Sequence, residues 1–286
     1  MAFAAVPATP HSTVELSVSC LKLKNLDVLS KSDPCCVISL KNAATNQWNE
    51  IGRTETIKDN LNPEFSRKIQ MTYFFEERQL LKFDLYDIDN EKSSSLAEQE
   101  FIGSMEGALG EIVSYSSAPN GFTRTLQAHG GKQAGTIKVV AEELGSCKEV
   151  YNLKFSAGNL ETSMFGGAKS YFLEFYKTME GGKPLLAHRT QPQSGGKTCS
   201  WPMFQVSAQT LCGGDVDRTI QIALMKYKSN GSHKKKGSAE TNIRTLLLGP
   251  GNAGNTYKLS GSQSNIWLES ISKDTQTSFL DYIRVG

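Results

Sequence analysis

Histidine is scarce, with four in 286 residues, and none of them belongs to an HExxH motif or to a spaced Cys/His set. GxSxG and GxxxxGK[ST] are missing as well, so zinc-hydrolase, α/β-hydrolase and P-loop chemistry have no carrier. No catalytic residue is assigned, and the expectation is a protein that is not an enzyme. Long apolar runs are also lacking, and none approaches the roughly 20 residues that span a bilayer. No charged segment leads into an apolar one at the start, which argues against a secretory signal. Met1 is followed by Ala2 rather than glycine, which argues against N-myristoylation. Six cysteines (20, 35, 36, 147, 199 and 212) form no CxxC pair. That spacing predicts reduced thiols in a cytoplasmic protein.

What is present is an uneven charge. The whole chain has a net charge of +2, but residues 1–146 carry 14 Lys+Arg against 19 Asp+Glu, and residues 147–286 carry 17 against 10. An acidic half at −5 and a basic half at +7 suit cations and anionic partners respectively. Short segments of period-2 or β-branched character run along both halves. Val14–Val18, Cys35–Leu40, Leu80–Leu85 and Thr136–Val140 read as strands of an antiparallel sandwich. Helical turns are expected only at Gly110–Tyr115 and Leu246–Leu248. Asn25-Leu26-Asp27 returns as Asn159-Leu160-Glu161, and the glycine of Phe101-Ile102-Gly103 returns as Gly237, both at an offset of 134 residues. The expected organisation is a flexible tail over 1–12, a first sandwich over 13–146 and a second over 147–286.

Lys31-Ser32-Asp33-Pro34, Asn60-Leu61-Asn62-Pro63-Glu64-Phe65, Tyr86-Asp87-Ile88-Asp89 and Glu100-Phe101-Ile102-Gly103 resemble the loop signatures of a C2 domain. With the second copy, ending in Ser278-Phe279-Leu280-Asp281-Tyr282, their order resembles the tandem C2 region of a copine. Copines usually continue into a von Willebrand A-type domain, whose Asp-x-Ser-x-Ser motif is absent here. The resemblance implies an all-β protein of two eight-stranded antiparallel sandwiches, of the type II topology, in which the first strand leads straight into the first calcium loop. It also implies Ca2+ as cofactor, held by Asp27, Asp33, Asp87, Asp89 and Glu100.

The residues agree with that chemistry. Calcium takes six to eight oxygens, largely from carboxylates and carbonyls. Carboxylates crowded at one end of a sandwich repel one another unless a cation neutralises them. Glu100 stands where the family more often has Asp, eleven residues beyond Asp89. The plain alternative is a solvated acidic rim. Asp84, Glu91 and Glu98 are expected to be exposed surface. Val28, Leu29 and Leu96 sit on the same loops and are candidates for insertion among lipid headgroups, or for packing against their neighbours.

In the second half, lysines replace the acids. Lys226 and Lys228 stand at the positions of Asp87 and Asp89, and Lys234, Lys235 and Lys236 follow. Five lysines on one loop suit an anionic phospholipid membrane, with a solvated loop as the alternative. Nucleic acid is not expected, because Tyr227 alone interleaves the lysines. His233 is expected to be an exposed loop residue. The resulting expectation is a calcium-dependent, peripherally recruited membrane module, and the alternative is a protein-interaction scaffold with a weakened calcium site.

Overall fold

The computed structural model describes residues 10–275 apart from 91, 92, 94, 117, 119, 120, 146, 163–167, 180 and 181. Glu91 and the Ser278–Tyr282 motif lie outside the described residues. The chain divides between Leu144 and Gly145 into two compact units.

The first unit contains β1 (His11–Leu21), β2 (Pro34–Lys41), β3 (Trp48–Arg53), β4 (Ile69–Phe74), β5 (Leu80–Asp87), β6 (Glu100–Ala108), β7 (Phe122–Gln127) and β8 (Gln133–Glu143). All pairings are antiparallel, in the order β3-β2-β5-β6-β7-β8-β1-β4. The ladder nearly breaks between β6 and β7, where the Ser104–Gln127 pair alone connects them, so the path folds into two layers. The pleat of a strand sends alternate side chains to opposite faces. Thus Val14, Leu16, Val18 and Cys20 of β1 meet Leu81, Phe83 and Leu85 of β5 in one core, with Ile137, Val139 and Ala141 of β8. β1 runs directly into the 22–33 segment and then into β2, as the expected topology requires. His11 and Ser12 belong to β1 rather than to a tail, because they pair with Phe74 and Tyr73. Asp84 is buried rather than exposed: it lies mid-strand in β5, where Lys82 Nζ reaches its Oδ2 at 2.9 Å. The helical turn α1 (Leu109–Ser114) falls where glycine and short apolar residues predict it, burying Leu109 and Ile112.

The second unit contains β9 (Glu149–Gly158), β10 (Lys169–Thr178), β11 (Pro184–Arg189), β12 (Gln193–Gly195), β13 (Thr198–Ser200), β14 (Phe204–Ser207), β15 (Ile220–Lys226), β16 (Lys234–Thr241), β17 (Thr256–Lys258) and β18 (Asn265–Thr275). One sheet runs β11-β10-β15-β16 with β12 also on β10, and the other runs β13-β9-β18-β17 with β14 also on β9. The expected eight continuous strands are therefore ten segments. Each of two edge strands is interrupted, one around buried Thr190 and one around Trp201, which is buried and hydrogen-bonds through Nε1 to Tyr171 O at 3.2 Å. Two short helices close loops. α2 (Ala208–Cys212) has Ser207 as its cap and was not expected from sequence. α3 (Ile243–Leu246) has Asn242 as its cap and begins three residues before the predicted turn.

The two units share local devices. In the first, the β5–β6 register shifts between Leu85 and Tyr86, with Leu85 opposite Gly103 and Tyr86 opposite Phe101. In the second, the β15–β16 register shifts between Leu224 and Met225, with Leu224 opposite Gly237 and Met225 opposite Lys235. Both glycines are required by close approach. A Cβ on Gly103 would lie 2.8 Å from the Ala134 methyl, and one on Gly237 would lie 2.6 Å from Ser260 O. The bulges bend the strands just before their tips.

Among the described residues, no helix is long and apolar enough to cross a membrane, and all six cysteines are free thiols.

Candidate functional site

The segment after β1 is built around Asn25 and Ser32. Asn25 Nδ2 donates to Asp27 O at 2.8 Å and to Ser30 O at 3.0 Å, and Asn25 Oδ1 accepts from Ser32 N–H at 2.8 Å. The Ser32 hydroxyl, fully buried, accepts from Leu26 N–H at 3.0 Å. This clip holds residues 27–30 out as a small loop. Ser30 Oγ donates to Asp27 Oδ2 at 2.6 Å and fixes that carboxylate.

Asp87 ends β5 opposite Pro34 and is 1% exposed. Its Oδ1 accepts from Asp33 N–H at 2.6 Å, and Ile88 N–H donates to Asp33 O at 3.0 Å, which ties the two loops together. Its Oδ2 is buried and no donor among the described residues reaches it. A buried carboxylate oxygen without a partner costs free energy that a cation removes. One carboxylate oxygen each from Asp27, Asp87 and Asp89 lies within 4.8 Å of the others. Oxygens bound to one calcium ion at 2.3–2.6 Å are at most about 5 Å apart, so this donor set fits such an ion. Crowding is visible in the acids themselves. Burial raises the Asp89 carboxyl above the usual range, and repulsion from Asp87, Asp27, Glu100 and Asp33 raises it further. Asp33 is also raised by burial, which outweighs the hydrogen bond from Asp59 N–H that lowers it, and the charges of Asp59 and Asp87 add to the rise.

Of the five acids expected from sequence, the structure brings together Asp27, Asp87 and Asp89. Asp33 lies beside them through its backbone bond to Asp87, while its Oδ1 accepts from Asp59 N–H at 2.7 Å. Glu100 opens β6 opposite Asp87, exposed, and its charge reaches Asp89. Asp59 was missed, although it directly precedes the Asn60–Phe65 motif. It sits in a left-handed turn (φ 52°), and its carboxylate accepts from Lys31 N–H at 3.2 Å. Glu98 is exposed. At the outermost point of the first loop, Val28 and Leu29 are 96% and 101% exposed, so neither packs against a neighbour. Leu96, in a short helical turn, is half-buried.

At the same strand end of the second unit, Lys226 closes β15 opposite Lys234, as Asp87 closes β5 opposite Glu100. The five lysines do not share one loop. Lys226 ends a strand, Lys228 follows it, and Lys234, Lys235 and Lys236 open the next strand. Lys228, Lys234 and Lys235 are exposed, and Lys235 Nζ donates to Gln221 Oε1 at 3.3 Å. Lys236 occupies the bulge position held in the first unit by buried Ile102. Its ammonium is paired with Glu161. His233 is half-buried rather than exposed. It packs edge-on against Phe172 at 4.9 Å, and its Nδ1 accepts from Lys228 N–H at 3.2 Å, pinning the turn. Burial and nearby Arg189 lower its pKa.

The sequence match of Asn159–Glu161 to Asn25–Asp27 is three residues out of step with the backbone. The left-handed residues are Lys22 and Asn159, both at φ 54°. Each is followed by a buried leucine whose N–H crosses to a neighbouring loop: Leu23 to Leu61 O at 2.9 Å, and Leu160 to Lys197 O at 3.0 Å. Glu161 therefore stands opposite Lys24, and the position of Asp27 falls within 163–167, outside the described residues.

The C2 domain family model matches residues 14–123. Among solved structures, BON1-C2B is 20% identical over 45% of this chain and 93% of its own, with a TM-score of 0.39. The calcium-bound C2A and C2B domains of Extended-Synaptotagmin 2 are 16% identical over 92% of this chain and 96% of their own, with a TM-score of 0.34. Human GIVD cytosolic phospholipase A2 is 15% identical over 91% of this chain and 33% of its own, with a TM-score of 0.33. With the first unit's antiparallel sandwich and the acids at its strand ends, residues 14–123 of this chain are a C2 domain.

Proposed function

We propose that the chain is a non-catalytic, cytoplasmic module of copine type that docks on anionic phospholipid membranes, with calcium acting through the first unit and lysines through the second. The observation that carries this reading is the buried Asp87 Oδ2, which has no partner among the described residues, beside the Asp27 and Asp89 carboxylates. Asp27, Asp87 and Asp89 hold the ion, with Asp33 and Glu100 supplying further oxygens. Bound calcium contributes positive charge and open coordination positions for lipid phosphate. The exposed Val28 and Leu29 then enter the headgroup region, and each buried CH2 adds up to about 0.8 kcal/mol. The second unit is a second sandwich of the same family, and its tip is positive without an ion. Each lysine near an anionic surface contributes about 1 kcal/mol, screened by salt.

The test is sedimentation with phosphatidylserine vesicles, with calcium or chelator, at two salt concentrations. Calcium-dependent pelleting supports the carboxylate site. Pelleting that ignores calcium and falls with salt assigns docking to the lysines alone. No pelleting in any condition overturns the membrane reading in favour of a protein-binding scaffold.

A further inference from the structure

Glu161 is the acid that pairs with the basic tip of the second unit. Its Oε1 is bonded to Lys236 Nζ, and its Oε2 lies 4.0 Å from Lys169 Nζ. Lys226 completes the group: it stands opposite Tyr171, two residues along β10 from Lys169, and the charges of Lys169, Glu161 and Lys236 act on it. Lys169 opens β10, the strand paired with β15, so three neighbouring strand ends each deliver one ammonium to this corner. The exposures differ in an informative way. The Lys236 and Lys169 side chains are 13% and 24% exposed, whereas the Glu161 side chain is 52% exposed. The carboxylate thus covers shielded ammonium groups from the solvent side.

Among the described residues, three cations against the Glu161 carboxylate leave the corner under-neutralised. Burial and the charge of Lys169 hold the Lys226 ammonium below the usual lysine range even with Glu161 in place. A phosphate group brings more oxygens and more charge than one carboxylate, and it accepts from several ammonium groups at once. An exposed ion pair is weak, so the resident acid is displaceable.

Resting on the proposed basic membrane-docking tip, we propose that Lys169, Lys226 and Lys236 form a phosphate-binding site whose built-in counter-ion is the Glu161 carboxylate, which an incoming phosphate displaces. The phosphate belongs to a lipid headgroup or to a free phosphate, and the experiment separates these.

The full chain is compared with Glu161→Gln, Lys169→Ala and the double variant, in chelator so that calcium plays no part. Vesicles of phosphatidylcholine with phosphatidylserine are one probe, and inorganic phosphate, read by thermal shift, is the other. Glu161→Gln is expected to tighten vesicle binding up to roughly fivefold, the range set by release of an exposed ion pair. Lys169→Ala is expected to weaken binding and to remove most of that gain in the double variant. A larger thermal shift with inorganic phosphate in Glu161→Gln supports a site open to free phosphate. A gain on vesicles alone supports headgroup phosphate. If Glu161→Gln changes neither readout, or Lys169→Ala leaves vesicle binding intact, the proposal is overturned. Alanine at Lys228, Lys234 and Lys235 tests the underlying reading separately. If those variants lose binding while Glu161 and Lys169 variants do not, the basic tip stands and this site fails. If Glu161→Gln does not fold, Lys169→Ala alone decides, since it leaves the Lys236–Glu161 pair in place.

Discussion

Asp87 and Lys226 occupy the same place in two sandwiches: the last residue of a strand, just past a register shift, opposite the first residue of the next strand. Among the described residues, that place leaves a buried carboxylate oxygen without a partner in one unit, and in the other it adds an ammonium to a cluster paired with Glu161. The scaffold dictates where charge is concentrated and leaves its sign to the side chains. The first tip is negative, and on the proposed reading it needs a soluble cation to become attractive to lipid. The second is positive as built and carries its own counter-ion.

The most damaging change to this contrast is at the acids. Asp87→Asn with Asp89→Asn keeps the shapes and the Oδ1 acceptor for Asp33 N–H, and is expected to abolish calcium-driven vesicle pelleting while leaving calcium-independent binding unchanged. Pelleting that still responds to calcium in this variant would remove these acids from the account. Next comes the other tip. Alanine at Lys226, Lys234, Lys235 and Lys236 is expected to cost up to about 4 kcal/mol of vesicle binding at low salt, and much less at high salt. A loss independent of salt would speak against electrostatics.

The units are also expected to respond differently to acid. His188 stacks on Phe204 at 4.4 Å, its buried Nε2 has no partner among the described residues, and burial lowers its pKa from 6.5 to about 4. A base with a depressed pKa favours folding above its unfolded value, and that contribution is lost as pH falls from 6.5 toward 4. At about 1.4 kcal/mol per pH unit the loss reaches about 3 kcal/mol. The raised Asp33 and Asp89 act in the opposite sense, since their protonation at low pH relieves crowding in the ion-free first unit. Denaturant unfolding of the full chain at pH 7 and at pH 4.5 checks this, with His188→Phe expected to lose less stability on acidification than the native chain. The smallest effect is expected at the loop tip. Val28→Ser with Leu29→Ser should weaken calcium-dependent vesicle binding by about 1–2 kcal/mol, as partial insertion of exposed side chains would. It should leave calcium binding in solution unchanged.

Much of the first unit is legible in the sequence, because strand periodicity is local. Val14, Leu16 and Val18 alternate and are buried together, and Asp87-Ile88-Asp89 is a local motif whose ligand role the resemblance to C2 loop signatures implies and whose carboxylates the structure brings together with Asp27. What sequence hides is contact at a distance. Asp84 is buried by its position in the middle of a sheet, and His233 is drawn under Phe172 by a turn. Lys169 joins the basic corner through the β10–β15–β16 pairing, and Glu161 joins it through its ion pair with Lys236, far away in sequence. The interrupted edge strands around Thr190 and Trp201 are likewise set by what those buried side chains meet. The three-residue slip between Asn25 and Asn159 has the same origin. Identical letters aligned, whereas the left-handed turns at Lys22 and Asn159 define the true correspondence.

Calorimetric titration of calcium into the full chain, native and Asp87→Asn, tests the central claim most directly. The account predicts saturable calcium binding by the native protein and its loss in a folded Asp87→Asn variant. Absence of binding by the native protein, or equal binding by both, would contradict it.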